Sequence, residues 1–70
     1  MIIENIDIQL QTPNGSFFTG TGNLEIFADR MVFHCDSHVK IDLENRVATI
    51  DNGEVEIVLH FDAFHIHYND

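Results

Sequence analysis

From Ile6 to Tyr68 the apolar side chains recur at every second position, and that alternation leaves the β-strand as the one regular element the chain can build. Ile6, Ile8 and Leu10 share one phase, against Asp7, Gln9 and Gln11 on the other. The row continues through Phe18, Gly20, Gly22, Leu24, Ile26 and Ala28, then Met31, Phe33 and Cys35, then Val39, Ile41 and Leu43. Ala48 and Ile50 follow, then Val55, Ile57, Leu59 and Phe61, and finally Phe64, Ile66 and Tyr68. No segment carries the spacing of a helix buried along one face. The expected fold is all-β: an up-and-down antiparallel meander of about seven short strands, in one domain over residues 1–70. A sheet with one apolar face must cover that face, so the meander is expected to curl into a small barrel or fold into a two-layer sandwich.

Turn chemistry and parity set the expected register. Thr12-Pro13-Asn14-Gly15 is a turn, because Pro presets φ and Gly accepts a positive one. Residues facing each other in an antiparallel pair point to the same side of the sheet, so the inward rows restrict the loop lengths that can join them. Two-residue loops at Asp29-Arg30, Asn45-Arg46, Asn52-Gly53 and Asp62-Ala63 satisfy the restriction, with a three-residue loop between Phe33 and Ile41. Gly20 and Gly22, both on the inward side of one long strand, mark the expected corner or a close backbone approach.

That register populates the outer face. Glu25, His34, Lys40, Asp51 and Glu54 fall in one transverse row, Phe27 faces Val32, and Val47 faces Val58. Arg30 lies beside Glu44 and Lys40 beside Asp51, while His60 faces His65 with His67 next to it.

Twelve Asp and Glu stand against three Lys and Arg, a formal net charge of −9 with neutral histidines. An excess of this size repels nucleic acid and anionic membrane and steers basic bodies. Cys35 is the one cysteine, which rules out an internal disulfide framework and suits a reducing compartment. No apolar run reaches the roughly 20 residues of a membrane helix, and Met1-Ile2-Ile3-Glu4-Asn5 lacks the basic start of a signal peptide. A cytoplasmic location, in the cell of origin or in an infected host, is the expectation.

Two constellations on the outer face carry candidate function. The carboxylates Glu25, Asp42, Asp51, Glu54 and Glu56, with the apolar Phe27, Val32, Val47 and Val58 among them, form a candidate partner-binding surface. Its expected partner is a basic protein, in the extreme form a Lys/Arg groove in which the carboxylates replace a nucleic-acid backbone. A phage-type inhibitor of a nucleic-acid-processing defence enzyme would have this character. The same apolar residues would also serve a homodimer, and a structural homo-oligomer subunit is a further alternative. His60, His65 and His67 could supply three nitrogen donors to Zn²⁺, making the chain a small metal- or ligand-binding barrel; no other cofactor is indicated. His34-Cys35-Asp36-Ser37-His38 also resembles a ligand string, but alternation turns Cys35 inward and His34 outward.

Catalysis is not expected. Ser16 and Ser37 sit in turns without a His and an acid at a suggestive spacing, and an inward Cys35 would be unreactive. Gly15, Gly20 and Gly22 match no phosphate-binding loop. The segment Gly22-Asn23-Leu24-Glu25-Ile26-Phe27-Ala28-Asp29-Arg30-Met31-Val32-Phe33 resembles the strand-turn-strand segment of GRAM and other pleckstrin-homology-like domains. The resemblance covers twelve residues, implies a hairpin there, and transfers no site residue.

Overall fold

The structure, a computed structural model, describes residues 1–69. It contains seven strands: β1 (Ile2–Gln11), β2 (Phe17–Ile26), β3 (Met31–His34), β4 (His38–Asp42), β5 (Val47–Asp51), β6 (Glu56–His60) and β7 (Ala63–Tyr68). All pairings are antiparallel, and the strands form one meander-like sheet in the order β6-β5-β4-β3-β2-β1-β7. No helix among the described residues is long and apolar enough to cross a membrane.

Two parts of the expected architecture are corrected. The sheet does not close into a barrel, because no ladder joins β6 to β7, and it does not split into two layers, because all seven strands share one sheet. The expected hairpin at Asp62-Ala63 is absent: β7 pairs with β1 instead, with Ile8 facing Ile66 and Leu10 facing Phe64. Parity permits both arrangements, but turn chemistry favours the observed one. A tight hairpin needs positive φ at its centre, which Ala63 resists, whereas pairing with β1 satisfies the backbone groups of a ten-residue strand that would otherwise be bare on one side. Phe61 and Asp62 link the two edge strands. Phe61 is 4% exposed and donates its N–H to Arg46 O at 3.0 Å, while Asp62 N–H reaches Gln11 O at 2.7 Å.

The inward phase is otherwise the expected one. Ile6, Ile8, Leu10, Leu24, Met31, Phe33, Val39, Ile41, Ala48 and Phe61 form one buried cluster, with Phe18, Ile26, Cys35, Ile50, Leu59, Phe64 and Ile66 packed around it. Leu43 falls in a turn and is exposed, and Tyr68 is exposed at the end of β7. Val55 and Ile57 keep the inward phase but remain more than half exposed, because β6 is a sheet edge with nothing beyond it.

Four turns sit one residue from their expected centres. In β2–β3, Ile26 faces Met31 and Phe27 N–H donates to Arg30 O, so the loop is Ala28-Asp29. In β4–β5 the last pair is Asp42 with Val47, and Asp42 Oδ1 caps Asn45 N–H while Arg46 takes φ 56°. In β5–β6, Asn52 N–H donates to Val55 O and Gly53, with φ 94°, holds the first loop position of Gly53-Glu54. A positive φ at that position is the requirement of a type II′ hairpin turn, and the Asn52 amide oxygen accepts from Glu54 and Val55 N–H. The β3–β4 loop has the expected length of three residues but is centred on Asp36, one residue earlier than expected, so it runs from Cys35 to Ser37 and sets His34 opposite His38 instead of Lys40. At Thr12-Pro13-Asn14-Gly15 the expected turn is present, with Gly15 at φ 90°.

The long β1–β2 ladder breaks once, between Ile3 and Ile6. Asn5 adopts φ 55° there, its N–H donating to Asn23 Oδ1 and its Nδ2 to Asn69 O, so the bulge pins three strands together. Opposite it, Gly22 is the close approach its sequence suggested. A Cβ at Gly22 would collide with His34 O, whereas one at Gly20 would meet the Phe33 and Phe18 rings at 3.2 and 3.5 Å.

Two stability outcomes follow. Gly22→Ala should lower the thermal midpoint well beyond Gly20→Ala, because fixed backbone must move in the first case and ring edges in the second. Overlap with backbone costs on the order of 1–3 kcal/mol. Ile41→Asp should unfold the domain, since a buried unpaired charge costs several kcal/mol, while Thr49→Asp on the outer face should fold. Circular dichroism melts measure both; a folded Ile41→Asp beside an unfolded Thr49→Asp would invert the faces.

Candidate functional site

Shifting four turns by one residue slides each strand by two along its neighbour, so the outer rows differ from the expected ones while every residue keeps its face. One row now runs Asn23, His34, His38, Asp51, Glu56. The next runs Glu25, Val32, Lys40, Thr49, Val58, and a shorter one Asp42, Val47, His60. Glu25 therefore faces Val32 rather than His34, yet the two side chains still meet diagonally, with His34 Nε2 at 3.2 Å from Glu25 Oε1. Two expected pairings of apolar residues are corrected as well. Phe27 faces Arg30, whose guanidinium carbon lies 4.4 Å from its ring centroid, and Val47 faces His60.

The candidate partner-binding residues divide by location. Asp51 and Glu56 face each other directly, and Glu54 occupies the turn between their strands. Asp36 lies on the neighbouring β3–β4 turn, and a shallow hollow of about 550 Å³ between the two turns is lined by His34, Asp36, His38, Lys40, Asp51 and Gly53, among others. Asp42 is at the opposite strand ends, where hydrogen bonds from Asn45 hold its carboxyl below the ordinary value of 3.8. Val32 is 6% exposed, which removes it from any contact surface, whereas Val58 and Phe27 are exposed.

Among the described residues the ion pairs are Arg30 with Asp29 at 3.1 Å and His34 with Glu25 at 3.2 Å. The expected pairs of Arg30 with Glu44 and Lys40 with Asp51 do not form. Asp36, Asp51, Glu54 and Glu56 thus stand at one end of the sheet without a paired cation among the described residues.

The three histidines expected as metal ligands are separated. His60 lies on β6 and His65 and His67 on β7, at opposite ends of the strand order, so the expected facing of His60 and His65 does not occur. No group of three or more His, Cys, Asp or Glu among the described residues is placed to hold a metal ion. The histidines that do meet are not the expected ones: His34 and His38 face each other edge to face with ring centroids 5.1 Å apart. The symmetry of His34-Cys35-Asp36-Ser37-His38 about Asp36 was the available signal, since a three-residue loop centred there must oppose its two ends. Cys35 is half-buried, its Sγ donating to Ser37 O at 3.4 Å.

A second hollow, of about 520 Å³, lies over β7, β1 and β2 and is lined by Asp7, Gln9, Thr19, Thr21, His65 and His67. Asp7 organises it. Its Oδ1 accepts from Thr21 Oγ1 at 2.6 Å and Asn69 Nδ2 at 2.9 Å, and these bonds, with a smaller effect of His67, hold its carboxyl below 3.8.

Comparison with protein-family models, with curated proteins and with solved structures finds no match to this chain. Its function is therefore argued from its own residues.

Asp7 gives this face an acid dependence. A carboxyl whose folded pKa is depressed contributes stability above its unfolded pKa, and that contribution is lost as pH falls through the folded value. The wild-type melting temperature should fall more steeply below about pH 4 than that of Asp7→Asn. Melts from about pH 5 down to about pH 2 read the difference, and parallel curves would remove Asp7 from the account.

Proposed function

We propose that this chain is a small acidic interaction module that binds a basic protein surface through the strand end carrying Asp36, Asp51, Glu54 and Glu56, and blocks or regulates what that surface does. One observation carries the reading: Asp51 and Glu56 face each other directly across β5 and β6, and among the described residues no cation is paired to either. Like charges directly opposite on neighbouring strands destabilise a sheet. A domain of 70 residues has little stability to spare, so a repulsion retained at its surface is accounted for by a partner that relieves it.

Carboxylates spaced across adjacent strands suit a row of Lys and Arg, and a groove that holds nucleic acid presents such a row. An inhibitor acting there would compete through the same salt-sensitive electrostatics that hold the nucleic acid. The net charge of −9 adds long-range steering toward such a surface and away from nucleic acid and anionic membrane. The chain acts by binding, in the cytoplasm of its own or an infected cell.

Proteins captured by the immobilised chain at about 50 mM salt should be basic and should be released at about 500 mM, as the Debye length shortens from about 14 to about 4 Å. The double variant Asp36→Asn/Glu54→Gln removes two exposed carboxylates that make no described side-chain hydrogen bond, and it should associate several-fold more slowly while melting as the wild type does. Capture that survives high salt and this variant would reject the electrostatic reading in favour of the apolar residues around Phe27 and Val58.

A further inference from the structure

β6 is an edge strand with little of the protection such strands ordinarily carry, Glu56 being its one Asp, Glu, Lys or Arg. Val55, Ile57 and Val58, at 55, 53 and 57% exposure, present apolar surface on both faces of the sheet. The stretch from Val55 to His60 contains no Lys, Pro or bulge, the devices that keep an edge from pairing with another chain.

The free backbone groups can be assigned. Asn52 N–H bonds to Val55 O and Phe61 N–H to Arg46 O, so the hydrogen-bonded pairs of the β5–β6 ladder fall on the odd residues of β6. The N–H and C=O groups of Glu56, Val58 and His60 consequently point away from β5, toward the open side. A second strand docking there must offer donors and acceptors at the same two-residue interval, and β6 of another copy does.

We propose that β6 pairs antiparallel with β6 of a second copy about a two-fold axis at Val58, continuing the sheet through a homodimer. This register sets Val58 against its own equivalent, Ile57 against Leu59, and Glu56 against His60, so every residue from Glu56 to His60 finds a partner. Faces are conserved: Ile57 and Leu59 of both copies share the apolar side, where Ile57 is half exposed. The charges select this register over its neighbours. Centring on Ile57 would place Glu56 against Val58 and leave only Glu54, in the turn outside β6, to face His60, and centring on Leu59 would place Glu56 against Asp62. With Val58 at the axis, each Glu56 carboxylate instead meets a His60 ring nitrogen of the other copy, twice by symmetry. The dimer engages Glu56 and leaves Asp36, Asp51 and Glu54 of the acidic strand end to a basic partner, and the pure chain alone tests it, so its failure is distinguishable from failure of the basic-partner reading.

Sedimentation velocity of the pure chain over a wide concentration range should show a shift from one chain to two and no larger species. Val58→Lys, whose added charge sits on the axis, should remain a single chain with unchanged circular dichroism. Glu56→Lys should weaken the dimer by about tenfold or more, both copies being altered at once, and the exchange Glu56→His/His60→Glu should restore it. Val58→Cys provides a readout that does not depend on a loss: under mild oxidation it should form a disulfide-linked dimer, whereas Thr49→Cys, one strand further in, should not. A single-chain mass at every concentration, growth beyond two chains through β6 against β7, or a dimer that is indifferent to Val58→Lys and whose Val58→Cys variant fails to cross-link would each overturn the proposal.

Discussion

The two residues Phe61 and Asp62 join the outermost strands of the sheet, and the rest of the architecture accommodates that link. A chain segment this short spans on the order of 10 Å. Seven strands lying flat, each about 4.8 Å from the next, would hold their two edges nearly three times as far apart. The sheet is therefore not flat, yet no ladder joins β6 to β7 and it stays open, so the link between its two edges is carried by Phe61 and Asp62. The junction is fastened on both sides, to Arg46 O by Phe61 N–H and to Gln11 O by Asp62 N–H. Buried between them, the Phe61 ring joins the apolar rows of β1 and β5 in one core.

Which residues face inward was legible in the sequence, because alternation is a local property that survives any change of partner. Register was less so. A turn displaced by one residue slides a strand by two, and a two-residue slide preserves parity, so the apolar rows cannot detect it. At β5–β6 the choice fell to one glycine. Gly53 satisfies the first loop position of a type II′ turn as readily as the second position of a type I′ turn, and the Asn52 side chain, by accepting from Glu54 and Val55 N–H, selects the former. The Asn5 bulge left no trace in the pattern, since Ile3 and Ile6 both reach the core through it. Likewise β7 could satisfy parity against either β6 or β1, and the demand of a bare ten-residue strand decided between them.

Errors of register reach the surface in a different way from errors of face. Asp51 and Glu56 both read as outward carboxylates from alternation alone, but their direct opposition depends on the displaced β5–β6 turn. The histidines show the same effect in reverse. His60, His65 and His67 converge only if a hairpin forms at Asp62-Ala63, while His34 and His38, which do meet, need the β3–β4 loop centred on Asp36. Candidate sites read from facing residues inherit every displacement of the turns between them; candidate core residues do not.

The least satisfied surface of the domain lies around β6, and it is unsatisfied in two separate ways. Its start places Glu56 against Asp51, a repulsion on the outer face, and its free edge leaves the backbone groups of Glu56, Val58 and His60 open beside exposed Val55 and Ile57. The first defect is electrostatic and calls for cations above the sheet; the second is apolar and hydrogen-bonding and calls for a strand beside it. These directions are perpendicular, so one occupant need not exclude the other. A dimer built on the edge would set two acidic strand ends in a fixed two-fold arrangement, and two linked sites engaging one extended basic surface bind more tightly than either alone when their spacing matches. The edge would then serve the face, with assembly determining the spacing at which the carboxylates meet their target.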